Sequence, residues 1–261
     1  MTANFPFFDL TPEADNFTIT SGLLSTLPGG LRGLAGNDTI RGSSDGDLVF
    51  GGADNDSLLG AAGNDSLFGG EGNDNIFGEA NNDIINGMQG DDLLGGGEGN
   101  DLLRGGKGDD YLIGGNGNDT LIGDRGVNIN FGGTGSDVFV FRQDLLLGDS
   151  SDSITQTVPQ VILDFDPSID FIGLSGGLSA SQLTFIQQTV PSSQAYSLFV
   201  GSGRGTRFIN EGAITPASFD PDGNNSTDVT LIRIGASGPF VASVINATPD
   251  QIASRFIQVN I

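Results

Sequence analysis

Between residues 33 and 140 large apolar side chains recur at every ninth position, a spacing that is neither helical nor alternating. Ile40, Val49, Leu58, Leu67, Ile76, Ile85, Leu94, Leu103, Leu112, Leu121 and Phe139 stand in this phase, and Asn130 fills the one remaining place. Seven residues before each of them stands a glycine: Gly33, Gly42, Gly51, Gly60, Gly69, Gly78, Gly87, Gly96, Gly105, Gly114, Gly123 and Gly132. The chain therefore carries twelve copies of a nine-residue unit without insertion or deletion, which predicts a stacked repeat and not a conventional globule. The glycine-rich first six residues of each unit read as a turn, because glycine reaches φ > 0 without a Cβ clash and Asn and Asp are the next best tolerated there. Position 5, with Asn37, Asn55, Asn64 and Asn73 among others, fits the same reading. The last three residues read as a very short strand whose middle side chain points inward.

Two units close one coil, so the structural period is eighteen residues and twelve units make six coils. At a strand spacing of about 4.8 Å the stack is roughly 25–30 Å long. The inward residues form two facing ladders. One is Ile40, Leu58, Ile76, Leu94 and Leu112; the other is Val49, Leu67, Ile85, Leu103, Leu121 and Phe139. The eleventh copy, residues 123–131, departs most. Val127, Ile129 and Phe131 alternate there, as in a strand slipped by one residue with its faces exchanged, and a break in the coil is expected at this point.

Outside the repeats the pattern changes. Residues 1–32 read as an N-terminal cap, with Phe17 and Ile19 alternating as in a short strand; an open coil end needs such cover. Residues 141–160 are a polar connection. Short apolar runs then alternate with Gly, Ser and Pro turns: 161–174, 183–186, 196–200 and 229–234. Thr248-Pro249-Asp250 predicts a helix start, and residues 256–261 are apolar at alternate positions. The expected fold is all-β: a parallel β-roll of about six coils over 33–140, an N-terminal cap over 1–32, and a C-terminal antiparallel β capping region over 141–261.

Charge narrows the chemistry. Acids outnumber Lys and Arg by 33 to 10, a formal charge of −23. Such a field argues against nucleic acid and anionic membrane surfaces as partners. The chain has no His and no Cys. That excludes disulfides, thiolate chemistry, the usual zinc ligands and a Ser-His-Asp triad. No stretch approaches the roughly 20 apolar residues of a membrane span, and the first residues carry no basic region or apolar run of signal-peptide length.

The acids are not scattered. Two residues before each inward position stands Asp38, Asp47, Asp56, Asp65, Asp74, Asp83, Asp92, Asp101, Asp110, Asp119 or Asp137, with Asn128 in the eleventh copy. Two residues per coil place Asp38, Asp56, Asp74, Asp92 and Asp110 on one edge and Asp47, Asp65, Asp83, Asp101, Asp119 and Asp137 on the other. Like charges about 5 Å apart repel unless a cation lies between them. One inward side chain per nine residues is also a thin core, so the turns need a further source of stability. Oxygen ligands without His or Cys select a hard cation, and six or more carboxylate and carbonyl oxygens suit Ca²⁺ better than Mg²⁺. A calcium file on each edge is the expectation, with the odd edge ending near Asp110.

At this point the units resemble a known family. Gly96-Gly97-Glu98-Gly99-Asn100-Asp101-Leu102-Leu103-Arg104 and Gly114-Gly115-Asn116-Gly117-Asn118-Asp119-Thr120-Leu121-Ile122 are similar to the RTX, or hemolysin-type, calcium-binding nonapeptide, in phase over residues 33–140. The resemblance implies calcium held between successive turns by the position-6 carboxylates and by carbonyls of positions 1–4. It also implies a type I exporter and folding triggered by external calcium. The stretch from 161 to 174, with Asp164-Phe165 and Asp170-Phe171-Ile172-Gly173-Leu174, resembles the segment that follows the repeats in many RTX proteins, and 228–261 looks like the tail of RTX proteins common in cyanobacteria.

Other motifs carry less. Residues 42–46 and 173–177 match Gly-x-Ser-x-Gly, but a nucleophile elbow needs a His partner that the chain lacks. Residues 220–228 alternate carboxylates and amides without the glycine and glutamate of an EF-hand, and 201–206 lack the ending of a phosphate loop. Phe50, Leu59, Phe68 and Phe77 make an apolar stripe, a mark of protein contact or of stacking within the roll. The reading is a non-enzymatic, calcium-binding β-roll, exported and acting as a structural or adhesive protein at a cell surface or outside the cell, with a protein partner. The alternatives are a calcium-stapled subunit of a larger assembly and the repeat module of a secreted toxin or enzyme.

Overall fold

The computed structural model describes residues 7–27, 29–142, 160–191, 226–234 and 240–259. Its strands are β1 (Phe8–Asp9), β2 (Asn16–Thr18), β3 (Leu31–Ala35), β4 (Thr39–Arg41), β5 (Leu48–Ala53), β6 (Ser57–Ala62), β7 (Ser66–Glu71), β8 (Asn75–Ala80), β9 (Ile84–Gln89), β10 (Leu93–Glu98) and β11 (Leu102–Lys107). They continue with β12 (Tyr111–Asn116), β13 (Thr120–Arg125), β14 (Asn128–Thr134), β15 (Val138–Arg142), β16 (Gln160–Ile162) and β17 (Phe171–Ser175). β18 (Leu183–Pro191), β19 (Ser226–Ile234), β20 (Phe240–Ile245), helix α1 (Pro249–Ala253) and β21 (Phe256–Gln258) complete the described elements.

Apart from β19, odd and even strands separate into two facing sheets. One runs β1-β3-β5-β7-β9-β11-β13-β15-β17-β21, the other β18-β19-β20-β16-β14-β12-β10-β8-β6-β4-β2. Within the array neighbours are parallel and in register at eighteen residues, as in Leu67↔Ile85 and Leu94↔Leu112. Among the described residues, antiparallel pairing is confined to β18 with β19 and β19 with β20. This is the expected roll of about six coils with an antiparallel C-terminal part. The inward ladders also stand as expected, with Ile40, Leu58, Ile76, Leu94 and Leu112 facing Val49, Leu67, Ile85, Leu103, Leu121 and Phe139, each at most 1% exposed.

The strands are longer than the expected three residues. Most run for six, from position 7 of one copy to position 3 of the next, as in Ser66–Glu71. The roll also reaches past the twelve copies. Leu31, fully buried, extends one ladder from β3, and Ile162 and Ile172 extend both ladders from β16 and β17.

The glycines have two separate physical reasons. Positive φ occurs at positions 2 and 4, as in Gly70 (+128°) and Gly72 (+124°), and there Leu34, Glu79, Met88, Asp54 and Asn81 accept φ between 76° and 82°. None of the twelve position-1 glycines is in that region. A Cβ at Gly60, Gly78 or Gly96 would instead overlap the carboxylate of Asp65, Asp83 or Asp101 and come within 2.6–2.8 Å of the position-1 carbonyl of the next coil. Position 1 is glycine for close approach, and only positions 2 and 4 need its torsional freedom.

The expected slip in the eleventh copy does not occur. β14 keeps the eighteen-residue register against β12, pairing Tyr111 with Ile129 and Leu112 with Asn130. Asn130 therefore points inward, 2% exposed, and its amide donates to Gln160 Oε1 at 2.8 Å and, more weakly, to the Val161 carbonyl at 3.4 Å. One buried amide with a partner costs less than moving every side chain of a strand to the other face.

The C-terminal elements dock on this end. β16 and β17 pair with β14 and β15 at longer offsets, Asn128↔Gln160 and Val138↔Phe171. Helix α1 begins as expected at Thr248, whose hydroxyl accepts from the Gln251 amide while Gln251 Oε1 accepts from the Thr248 amide. Ile252 anchors the helix in the core. The runs at 196–200 and 201–206 and most of the 220–228 stretch lie outside the described residues.

Candidate metal centre

The position-6 aspartate ends the turn just before the strand, and its side chain folds back toward the preceding coil. Asp56 Oδ1 accepts the amide of Asp38, Asp65 Oδ1 that of Asp47, and Asp74 Oδ1 that of Asp56, at 2.7–2.8 Å. The same bond repeats through Asp83, Asp92, Asp101, Asp110, Asp119 and Asp137, at 2.7–3.0 Å. These bonds join the acids into the two expected files. Every one of the eleven carboxylates is at most 4% exposed.

The other oxygen of each carboxylate is the unusual atom. Oδ2 of Asp38, Asp56, Asp65, Asp83, Asp101, Asp110 and Asp119 is buried and accepts no hydrogen bond. It lies against the position-1 glycine of its own copy, beside the position-1 carbonyl of the following coil. A buried carboxylate oxygen without a donor is costly, and here the cost recurs on successive coils. Burial, joined by the charge of neighbouring rungs, pushes the carboxyls of Asp56, Asp65 and Asp119 up to about 7, against the opposing pull of the amide each accepts. Burial likewise raises Asp83 and Asp137 to about 6 and holds Asp110 well above the ordinary carboxylate range.

A second file runs alongside in the opposite sense. Asn55 Oδ1 accepts the amide of Asn73, and Asn73 Oδ1 accepts the amide of Asp91, so position 5 reaches forward where position 6 reaches back. On the other edge Asn64, Asn82, Asn100 and Asn118 accept the amides of Asn82, Asn100, Asn118 and Ser136. Asparagine at position 5 thus serves as an acceptor for the next coil. It is not in the left-handed region, contrary to the turn reading.

The files extend beyond the repeats through residues outside the nine-residue phase. Asp15 donates its amide to Asp38 Oδ1 at 2.8 Å, and Asp170 Oδ1 accepts the amide of Asp137 at 3.0 Å. A signal for both exists in the sequence: Asp15 precedes Phe17, and Asp170 precedes Ile172, with the two-residue spacing of positions 6 and 8. Asp164 accepts from the amides of Gly132 and Gly133 at 2.9 and 2.7 Å and covers the last turn. At Asn128 the file continues with an amide in place of the acid, Asn128 Oδ1 accepting from Asp110 at 2.8 Å.

The oxygen cradles fit a hard cation. Their lining is carboxylate and carbonyl oxygen, Oδ2 of interior rungs such as Asp65 and Asp83 meets no donor, and a Cβ at position 1 would take the space that Oδ2 occupies. Among the described residues no three acidic side chains converge to hold a metal by themselves, so carbonyls would supply the larger part of any ligand set. Of the serine motifs, Ser43 Oγ donates to Asp47 Oδ2 at 3.0 Å inside a repeat turn, and Ser175 lies within β17. The expected apolar stripe divides between the sheets. Phe50 and Phe68 stack at 5.0 Å on β5 and β7, while Leu59 and Phe77 belong to β6 and β8, because lateral neighbours are eighteen and not nine residues apart.

Comparison with known proteins agrees with this geometry. The model of the RTX calcium-binding nonapeptide repeat matches residues 31–58, 59–94 and 95–129. This stretch is an array of RTX repeats on a β-roll, a calcium-binding class that takes multiple Ca²⁺ ions. Such repeats are typically non-catalytic, and the proteins that carry them are typically exported. No curated protein matches the chain. No helix among the described residues is long and apolar enough to cross a membrane.

Proposed function

We propose that the chain is a non-enzymatic protein whose roll folds as Ca²⁺ enters the cradles, and that it works outside the cell in a structural or adhesive role. The observation that carries this is the file of buried carboxylate oxygens without donors. The ligands would be the position-6 carboxylates and the nearby turn carbonyls, and the ion would supply the positive charge that the buried files lack. Neighbouring carboxylates one coil apart repel by about 3 kcal/mol per pair at an effective dielectric of 20, so a chain stripped of cations carries this strain along both edges. Binding free energy then becomes folding free energy. Sites of extracellular type bind at about 10⁻⁴–10⁻³ M, which keeps such a chain unfolded at low internal calcium and folds it after export.

A far-ultraviolet circular dichroism titration tests the coupling. The strand signal of the metal-stripped chain should rise cooperatively with calcium and not with equal magnesium; identical spectra in excess chelator and in millimolar calcium would overturn the reading. Export is tested separately by comparing culture supernatant with cell lysate.

A further inference from the structure

The ends of the two acid files differ from their interiors. Asp15 opens the odd file, and its Oδ2 accepts both the amide and the hydroxyl of Thr11, at 2.8 Å each. Asp47 opens the even file within the repeats, and its Oδ2 accepts the amide of Ser43 at 2.7 Å and its hydroxyl at 3.0 Å. Asp170 closes the even file, and its Oδ2 accepts the amide of Asp166 at 2.7 Å. In all three the donor lies four residues earlier, and the oxygen left without a donor at Asp56, Asp65, Asp83, Asp101, Asp110 and Asp119 is engaged. The odd file closes differently. It ends on Asn128, and the carboxamide of Gln160 fills the space at Gly123 that in other copies receives an aspartate oxygen.

We propose that Asp15, Asp47 and Asp170, together with Asn128 at the cradle that Gln160 fills, are built-in terminators: they complete the backbone ladder but take no cation, so calcium binds only at the rungs between them. Asp47, expected from its phase to be a ligand, is thereby moved out of the ligand set. Three observations support this. A cation at Asp47 or Asp15 would have to displace an amide and a hydroxyl that already offset the oxygen's charge. At Gly42 an added Cβ would stand 3.0 Å from Asp47 Oδ2, whereas at Gly60 and Gly78 it would overlap the aspartate oxygen, so the Asp47 carboxylate has withdrawn from its cradle toward Ser43. At Gly123 the cradle is filled by a neutral side chain. The device lets the strands at both ends of the roll attach through ordinary hydrogen bonds.

The proposal rests on the calcium reading above, and native mass spectrometry of the full chain at saturating calcium separates the two. A wild-type chain that binds no calcium sinks that reading and this one with it. If wild type binds a defined number of ions, Asp65→Asn should bind one fewer, while Asp47→Asn and Asp170→Asn keep the wild-type number. Loss of an ion from either terminal variant, with circular dichroism showing it folded, overturns the assignment. Asn128→Asp combined with Gln160→Gly should gain one ion, and no gain overturns the odd-edge terminator. Should Asp47→Asn fail to fold, Asp170→Asn carries the test for the even file: an unchanged count supports the proposal and the loss of an ion refutes it.

Discussion

Replacing Asp65 by Asn should stabilise the chain without calcium and weaken it with calcium. The carboxyl sits at 1% exposure, its Oδ1 takes the Asp47 amide at 2.7 Å, and burial raises it from 3.8 to about 7. A rise of this size corresponds to roughly 4 kcal/mol at neutral pH against the ionised, cation-free fold. An Asn side chain can accept the same amide, as Asn128 does from Asp110. It then buries an amide donor where Oδ2 stood, at a cost of about 1–3 kcal/mol. The net expectation is a gain on the order of 1–3 kcal/mol for the metal-free roll at pH 7. The pH dependence has a definite sign. A carboxyl whose folded pKa is raised stays protonated in the fold where the unfolded chain has already released its proton. Its contribution is present below about pH 4 and is lost as pH climbs through 6 to 7, so the metal-free wild type should weaken over that window and Asp65→Asn should weaken less. Urea unfolding followed by circular dichroism measures this on metal-stripped protein from about pH 5 to 7.5 and again in millimolar calcium. If the metal-free chain is unfolded at neutral pH, the readout is the pH at which its strand signal disappears, which should be higher in the variant. A variant that changes stability with the same sign in both conditions, or a metal-free wild type equally stable across the pH range, refutes the reasoning.

Other substitutions separate the contributions of packing, backbone approach and the acid files. Gly96→Ala adds a methyl that meets Asp101 Oδ2 and, at 2.6 Å, the Gly114 carbonyl; it should raise the calcium concentration needed for folding at least tenfold in a circular dichroism titration. Leu67→Ala empties a core position that is 1% exposed and should cost about 2–5 kcal/mol in thermal unfolding at saturating calcium. Asn73→Ala removes the acceptor of the Asp91 amide, a 2.8 Å bond in the position-5 file. It should cost about 1–3 kcal/mol by the same measurement and leave the calcium count in native mass spectrometry unchanged, because position 5 faces the next coil's amide and not a cradle.

The roll and its acid files are legible in the sequence because each rests on a period that survives in one dimension. The inward ladder from Ile40 to Phe139, the two acid edges and the start of α1 at Thr248 follow from residue type and spacing alone. Which oxygen meets which donor does not follow. Asn at position 5 has the same composition signal whether it occupies a left-handed turn or accepts an amide eighteen residues away, and only the second occurs. Glycine at positions 1 and 2 looks identical in sequence, yet one is required by Asp Oδ2 at close range and the other by positive φ, as at Gly70. The eleventh copy misleads because Val127, Ile129 and Phe131 alternate as a flipped strand would. The partner that keeps Asn130 inward is Gln160, thirty residues away and outside any repeat. Asp15 and Asp170 are hidden for a related reason: they stand 23 residues before Asp38 and 33 after Asp137, off the eighteen-residue period, while their backbone bonds are those of ordinary rungs. The repeat therefore dictates the interior of each file, and residues outside the repeat dictate its ends. Lengthening the array by a pair of copies should add cradles without altering Asp15, Asp170 or Gln160, since each of these meets the repeats at the end coil beside it.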